Sequence, residues 1–283
     1  MPGRTLSING HTVARFLYGT AWKEDETQRL TELAIRNGFR GIDTANQRRH
    51  YHEAAVGAGI GAVIASGLVT RDELFLQTKY TFQRGQDHRL PYDPNAPIAT
   101  QVEQSFTSSL EHLDTDWIDS YLLHGPTHAA GLTDDDWEAW QAMETIHENG
   151  QVRLLGVSNI SLEQLQSLCE GARVPPSFVQ NRCYAVRRWD RAIREFCSTQ
   201  GITYQGFSLL TANRQALSSS RLAEMAAHHD CTLAEMIFRF ALEVGMIPLT
   251  GTTNSDHMQG DLRVFDLGLQ PDEISYIENC ATD

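Results

Sequence analysis

Short apolar runs alternate with longer amphipathic stretches along most of the chain. The apolar runs have the length of strands and are rich in residues that favour β-structure. They are RFLYGTA (15–21), FRGIDTA (39–45), LFLQTKY (74–80), WIDSYLLHG (117–125), VRLLGVSN (152–159), FVQNRCY (178–184), ITYQGFSLL (202–210) and MIPLTGT (246–252). This pattern predicts eight strands.

The stretches between most of these runs show the periodicity of amphipathic helices. They are residues 25–37, 97–112, 134–149, 161–171, 189–200 and 232–244. Ser161 and Thr232 are predicted N-caps, because a Gln or Glu follows each of them three positions later. A last helix is predicted at Asp272–Cys280.

Eight strands that alternate with helices predict a parallel sheet, and eight such units favour its closure into a (β/α)₈ TIM barrel. A doubly wound open sheet is the alternative, but no GxGxxG follows the first strand. Asn9-Gly10 predicts an N-terminal β-hairpin that plugs the barrel bottom. Phe82–Pro97 reads as a loop, and the last helix as a C-terminal cap. We expect one domain over residues 1–283.

Composition narrows the functional classes. The chain has 283 residues and a formal net charge of −13, so nucleic acid and anionic membranes are unfavourable partners. No apolar run approaches the roughly 20 residues that cross a bilayer, and the first residues lack the apolar stretch of a signal peptide. Five scattered cysteines disfavour a disulfide framework or a zinc site and indicate a reducing, cytoplasmic location.

Polar residues lie at the ends of the predicted strands, where barrel enzymes collect their active groups. They are Asp43, Lys79, His124, Ser158, Asn159, Gln180 and Ser208. A single strand-end Asp or His is more often a structural cap than a catalyst. Several residues of this kind at one rim favour a site.

The motifs that carry these residues resemble those of the aldo-keto reductase superfamily, in order and over nearly the whole chain. They are GIDTA (41–45), LQTKY (76–80), LLHG (122–125), GVSN (156–159), VQ (179–180) and GFSLL (206–210). The resemblance implies a nicotinamide-dependent oxidoreductase with a tetrad of Asp, Tyr, Lys and His. Asp43, Lys79 and His124 match three of its members.

The tyrosine of the tetrad departs from the family pattern. It usually follows the Asp by five residues and precedes an Asn-Glu pair, whereas Tyr51 follows Asp43 by eight and the Asn is missing. Tyr51 is the only tyrosine in this loop, so we assign it the role of general acid and base. We expect Lys79, held by Asp43, to lower the pKa of Tyr51, and His124 to orient the substrate oxygen.

The resemblance also implies the cofactor contacts, with NADP as the expected cofactor and NAD as the alternative. Ser158, Asn159 and Gln180 would bind the nicotinamide carboxamide, and Phe207 would stack on its ring, although core packing is the other explanation for Phe207. Backbone at Gly19, Thr20 and Ala21 would pass near the cofactor. Ser208 and Leu210 would face the pyrophosphate.

The site for the 2′-phosphate is the weakest match. NADP-binding members of the family follow the last strand with a Lys-Ser pair and then an Arg, and here Leu249 replaces the Lys. We expect Thr250, Gly251, Thr252 and Thr253 to donate to the phosphate at a helix N-terminus, with His257 in place of the Arg. Asp261 matches the adenine contact of the family.

The substrate pocket is expected to include Trp22 beside Tyr51 and His124, and no metal site is expected. Two other functions stay open. One is a regulatory or sensor protein that binds the cofactor at a degenerate catalytic site. The other is a phosphate-binding isomerase or aldolase in which Lys79 forms a Schiff base. The expected partner is a small carbonyl or alcohol, and the expected assembly a monomer or weak homo-oligomer.

Overall fold

A β-hairpin closes the bottom of the molecule. In the computed structural model, which describes residues 3–282, β1 (Thr5–Ile8) pairs antiparallel with β2 (His11–Ala14). Asn9 and Gly10 both have positive φ, as a two-residue hairpin turn requires. Ile8 and Val13 pack against the apolar side chains that fill the lower part of the barrel, so the predicted plug is confirmed.

Eight parallel strands form a closed barrel, as the alternation predicts. They are β3 (Leu17–Gly19), β4 (Gly41–Asp43), β5 (Phe75–Tyr80), β6 (Ile118–Leu123), β7 (Val152–Ser158), β8 (Phe178–Arg182), β9 (Thr203–Phe207) and β10 (Ile247–Thr250). The strands follow one another in chain order around the barrel, and β10 pairs with both β9 and β3. Every one of them lies within a predicted apolar run.

Helices surround the barrel. They are α1 (Thr27–Arg36), α2 (Glu53–Ala65), α3 (Ile98–Leu113), α4 (Asp134–Glu148), α5 (Leu162–Gly171), α6 (Arg191–Gln200), α7 (Ser220–His228), α8 (Leu233–Glu243), α9 (Ser255–Arg263) and α10 (Pro271–Asn279). The capping boxes at Ser161 and Thr232 are formed. Trp189 Nε1 donates to the carbonyl oxygen of Ile277, which fastens the C-terminal helix α10 to the barrel.

Helix α2 was not among the predicted helices. Its sequence, EAAVGAGIGAVIA, is apolar on nearly every side and holds three glycines, so it lacks the periodicity that marks a surface helix. Two of these glycines have a packing role. A Cβ at Gly57 would lie 1.9 Å from the carbonyl oxygen of His112, and one at Gly59 would lie 2.8 Å from that of Gln28. Helix α2 therefore packs unusually close to its neighbours, and this closeness requires glycine.

The loop Phe82–Pro97 after β5 folds over the upper rim of the barrel and contains a short 3₁₀ turn at Gln83–Gly85. The buried hydroxyl of Tyr92 donates to the carbonyl oxygen of Thr81 at 2.7 Å. Gln47 Nε2, in the loop after β4, donates to the carbonyl oxygen of Gly85 at 2.7 Å. The two loops that follow β4 and β5 are thus joined above the strand ends.

Candidate active site

Asp43 and Lys79 form a buried ion pair at the upper ends of β4 and β5. Lys79 Nζ lies 2.7 and 2.8 Å from the two carboxylate oxygens of Asp43 and donates to the carbonyl oxygen of Thr44 at 2.8 Å. The Lys79 side chain has no exposed surface, and burial lowers its pKa while Asp43 opposes that change. An amine that is enclosed and held by three acceptors does not suit attack on a carbonyl, so the Schiff-base alternative finds no support here.

Two buried amides hold the carboxylate of Asp43, and a third, Gln205, extends the polar network across the barrel. Gln77 and Gln180 donate to Asp43 Oδ1 at 2.7 and 2.9 Å, and both also donate to Gln205 Oε1. Sequence reasoning missed Gln77 and Gln205. The signal was present, since Gln77 lies two positions before Lys79 and side chains alternate along a strand, which places both toward the barrel interior.

Tyr51 reaches this ion pair despite its longer loop. Its ring centroid lies 5.4 Å from Lys79 Nζ and 5.9 Å from the ring centroid of His124, in edge-to-face geometry. The backbone N–H of Tyr51 donates to the carbonyl oxygen of Gln47, which closes a turn in the inserted segment. The extra residues are taken up by this turn, so the phenol lies beside both the ammonium and the imidazole.

The proton affinity of Tyr51 differs from the expectation. Burial, and then the charge of Asp43, raise the pKa of the phenol well above its ordinary value. Lys79 was expected to lower this pKa, but its three donors are directed to Asp43 and Thr44. Because the neighbouring carboxylate offsets the ammonium, the phenol keeps its proton near neutral pH. It therefore enters the reductive direction as an acid.

His124 is held as a neutral ring. Burial, and then the charge of Lys79, lower its pKa to about 3. Its Nδ1 lies 2.6 Å from the hydroxyl oxygen of Thr81, which is buried. A buried hydroxyl is better satisfied when it donates its proton, so Thr81 donates to Nδ1 and the ring proton lies on Nε2. His124 also lines the open cavity, where an Nε2–H can donate to a ligand oxygen.

A cavity of about 460 Å³ opens beside His124. It is bounded by the loops that follow β4, β5, β6 and β7. Its lining residues are Gln47, His50, Thr81, Phe82, Arg84, Gly85, His124, Gly125, Pro126, His128, Ala129 and Asn159. The cavity has the size of a small-molecule site, and the imidazole of His124 is part of its wall.

The residues predicted to bind the nicotinamide carboxamide lie together at the ends of β7 and β8. The Ser158 hydroxyl donates to the carbonyl oxygen of Gln180 at 2.6 Å, and Asn159 Nδ2 donates to that of His124 at 2.8 Å. Gln180 uses Nε2 for its bonds to Asp43 and Gln205. These bonds fix the side chains and leave Gln180 Oε1 and Asn159 Oδ1 as acceptors, which suit the NH₂ group of a carboxamide.

Phe207, Ser208 and Leu210 continue this side of the rim at the end of β9. Phe207 is partly buried and packs on the apolar interior of the barrel, with the Arg182 guanidinium 5.8 Å from its ring centroid. Ser208 has a left-handed backbone (φ 57°), and Leu210 is partly buried. The Phe207 ring therefore has a packing role in any case, and its partial exposure at the rim is what a stacked cofactor ring needs.

Some residues at the end of β3 support the site from within the protein, and others lie at the surface. Thr20 is fully buried and its hydroxyl donates to the backbone carbonyl oxygen of Asp43 at 3.0 Å, so it holds the backbone of Asp43. Gly19 lies against the backbone of Thr250, and Ala21 is partly buried. Trp22, predicted as a pocket wall, is 66% exposed and stacks on His50 with ring centroids 4.0 Å apart.

The segment after β10 supplies side-chain hydroxyls, but few backbone N–H groups are free at the start of helix α9. Gly251, Thr252 and Thr253 form an exposed to partly exposed turn before α9, and Thr252 Oγ1 lies 3.5 Å from His257 Nδ1. The Asn254 side chain accepts hydrogen bonds from the backbone N–H groups of Asp256 and His257. These two donors are therefore not free for a phosphate.

Two further side chains complete this end of the groove. Asp261 is buried and bonded to Thr250, and burial raises its pKa to about 6. Lys23, which sequence reasoning did not single out, donates to the carbonyl oxygen of Gly251. The segment from Leu249 to Leu262 contains no Lys or Arg. The far end of this groove thus presents hydroxyls, one imidazole and the Lys23 ammonium, which is engaged by the Gly251 carbonyl oxygen.

Within residues 3–282, no three His, Cys, Asp or Glu side chains are grouped so that they would hold a metal ion. In the same part of the chain, no helix combines the length and apolar character of a membrane span.

Comparison with known proteins agrees with this geometry. The family model described as "Aldo/keto reductase family" matches residues 12–282. A glyoxal reductase of Bacillus subtilis is 29% identical over 260 residues, which cover 92% of this chain and 85% of that protein. An aldo-keto reductase of Bombyx mori, solved in complex with NADP, aligns with a TM-score of 0.82 at 26% identity and covers 98% of this chain and 92% of its own. An aldo/keto reductase structure from Brucella melitensis aligns with a TM-score of 0.82 at 25% identity, over 98% of each chain.

Proposed function

The chain belongs to the aldo/keto reductase family, and on that premise we propose that it transfers a hydride between the nicotinamide C4 of NADP and a small carbonyl or alcohol. The observation that carries this proposal is the convergence of Tyr51, His124 and the Asp43–Lys79 pair, of which His124 lines an open cavity. Membership provides the reaction class, and this convergence provides groups that can handle the proton and the oxygen.

The cofactor supplies the hydride when it is bound. The chain's own residues orient the carbonyl and manage its developing charge. The neutral His124 donates an Nε2–H to the carbonyl oxygen, and Tyr51, which keeps its proton because burial raises its pKa, protonates the alkoxide that forms. Lys79, fixed by Asp43, places a positive charge below the phenol and stabilises the negative charge that the phenol acquires as it gives up its proton.

NADP is assigned because a related structure contains it. Thr250, Thr252, Thr253 and His257 are the side chains that would meet the 2′-phosphate. Since neutral hydroxyls and an imidazole bind phosphate less tightly than a guanidinium, the preference for NADPH over NADH should be modest. Fluorescence titration of the protein with each reduced cofactor measures this preference directly.

A regulatory or sensor protein is the second candidate, and one observation favours it. The Lys79 ammonium directs its hydrogen bonds to Asp43 and Thr44, and the pKa of Tyr51 is raised where a lowered one was expected. Such a protein would bind the cofactor in the same groove without turnover.

Tyr51→Phe separates the two candidates. For a reductase, removal of the phenol proton should lower the turnover of aldehydes about 100-fold to 10,000-fold, while fluorescence titration shows unchanged cofactor binding. The control is Tyr276→Phe, which deletes a hydroxyl on α10 that bonds to Ser219. If the wild type binds cofactor but reduces no aldehyde or ketone, or if Tyr51→Phe is as active as the control, the catalytic assignment is wrong.

A further inference from the structure

The two loops above β4 and β5 are basic in an acidic protein. Residues 44–52 and 81–97 contain four arginines, Arg48, Arg49, Arg84 and Arg89, against Asp87 and Asp93, while the chain carries a net charge of −13. Arg89 is paired with Asp87. The remaining three arginines make no salt bridge within the described residues. We call these two loops the basic rim.

The cavity beside His124 has the same character. Its twelve lining residues include no Asp or Glu, and they include Arg84, His50 and His128 together with the amides of Gln47 and Asn159. A cation without a partner is stabilised when an anion lies beside it. A lining with cationic and no anionic side chains therefore favours a negatively charged ligand.

Arg84 is the guanidinium in this lining. Its side chain is exposed at the rim, and one terminal nitrogen donates to the carbonyl oxygen of Pro126, which lines the same cavity from the loop after β6. This bond uses one of five N–H groups and anchors the planar group at the cavity. The remaining N–H groups are available to oxygen atoms of a ligand.

The basic rim stands apart from the residues proposed to hold the cofactor. Those residues follow β7, β8, β9, β10 and β3, whereas the rim follows β4 and β5 on the other part of the barrel circumference. The phosphates of the cofactor therefore do not account for this charge. What remains to occupy the cavity is the substrate.

We propose that the physiological substrate is a small carbonyl compound that bears an anionic oxygen group, a carboxylate or a phosphate, and that Arg84 binds this group while the carbonyl oxygen lies at His124. This inference rests on the proposed function and names its substrate class. Guanidinium pairs with planar oxyanions through paired N–H bonds, and this geometry orients as well as attracts. The same field raises the local concentration of anions at the mouth of the barrel.

Matched substrates test the inference. Succinic semialdehyde is compared with its methyl ester, and glyceraldehyde phosphate with glyceraldehyde. We expect kcat/KM to favour the charged member of at least one pair by about fivefold to tenfold, as a charge-assisted bond at a partly solvated site provides. The pair with the larger ratio distinguishes carboxylate from phosphate. The inference would be overturned if, in both pairs, the charged and neutral members had equal kcat/KM or the neutral member were preferred.

Arg84→Gln should abolish this preference and leave the neutral substrates within about twofold. Arg49→Gln is the matched control, because it removes the same charge from an exposed residue of the basic rim that does not line the cavity. If both variants lose the preference equally, the effect comes from the general field and not from a bound anion, and the assignment to Arg84 is wrong.

A binding measurement keeps this test separate from the proposed activity. Succinate, which carries carboxylates but no reducible carbonyl, is titrated calorimetrically into the wild type and both variants in the presence of oxidised cofactor. Binding by the wild type and the Arg49 variant that weakens about tenfold in Arg84→Gln supports the anion site even without turnover. Inorganic phosphate is titrated in the same way, and binding of neither succinate nor phosphate by the wild type overturns the inference. Reduction of the neutral aldehydes reports independently on the proposed function.

Discussion

At the residue scale, the candidate site depends on which groups keep their protons. The Asp43–Lys79 pair is enclosed, so its charges are balanced by each other and not by water. Its positive end therefore acts on Tyr51 only partly, and burial dominates the pKa of the phenol. A phenol that stays protonated and an imidazole that stays neutral suit the delivery of one proton to an alkoxide.

Thr81 is a positioning residue for this chemistry. Thr81→Val removes the hydroxyl that donates to His124 Nδ1 but keeps a side chain of the same shape. Because the ring then loses the partner that holds its proton on Nε2, we expect kcat to fall about tenfold with little change in KM. Steady-state kinetics on a neutral aldehyde measures both values.

Thr81→Ser is the control for this change, because it keeps the hydroxyl and should retain most of the activity. A Val variant with unchanged kcat would show that the tautomer of His124 does not depend on Thr81. A variant in which KM rises and kcat is unchanged would instead place Thr81 in substrate binding.

At the scale of elements, helix α2 carries the loop that presents Tyr51, and its position depends on how close it lies to α1 and α3. Gly57 and Gly59 contact backbone atoms of these neighbours at distances that exclude a side chain. Glu53, the first residue of α2, is buried and accepts from the Thr78 hydroxyl, with His112 Nδ1 3.0 Å from its other oxygen. Helix packing and a buried carboxylate thus fix the point from which the Tyr51 loop departs.

Two glycines of α2 offer a matched test of this packing. Gly57→Ala places a methyl group against the backbone of His112, so the free energy of unfolding should fall by about 1–3 kcal/mol. Gly61→Ala meets no atom within 4 Å, so it should raise that free energy by about 0.5–1 kcal/mol through the helix propensity of alanine. Denaturant unfolding measures both. Equal effects of the two substitutions would contradict the close approach of α2 to α3.

At the scale of the whole molecule, the buried imidazole links stability to pH. The pKa of His124 is lowered from 6.5 to about 3 in the folded protein, so only the unfolded chain binds a proton there between these values. The contribution of this residue is therefore fully present above pH 6.5 and is lost as the pH falls toward 3. Each unit of pH below 6.5 costs at most about 1.4 kcal/mol.

Replacement of His124 by Gln should remove this dependence. Between pH 7.0 and pH 5.5, the wild type should lose about 1.4 kcal/mol more unfolding free energy than His124→Gln. Denaturant melts at the two pH values give the comparison, and the other titrating groups cancel between the proteins. Parallel losses in both would mean that His124 is protonated in the folded state.

The eight strands, the hairpin and the capping boxes were predictable because their signals are local. Alternating apolar runs, Asn9-Gly10 and the residues after Ser161 and Thr232 describe structure within a few positions of themselves. Helix α2 was missed for a related reason. Its sequence has no polar face, and its glycines allow close packing against helices that are distant in sequence. The roles of Asp43, Lys79 and His124 came from motif resemblance and strand-end position, and the structure places these three residues with Tyr51.

The sequence by itself determined the barrel, the order of its strands and the identity of the polar groups at their ends, because strand direction and side-chain alternation follow from local geometry. Tertiary structure decided how these groups behave. The approach of Tyr51 to Lys79, the bond from Gln77 to Asp43 with Gln205 behind it, and the basic lining beside His124 all arise between segments distant in sequence. Proton affinities and ligand charge depend on such neighbours, and neighbours across a closed barrel are set only when the chain has folded.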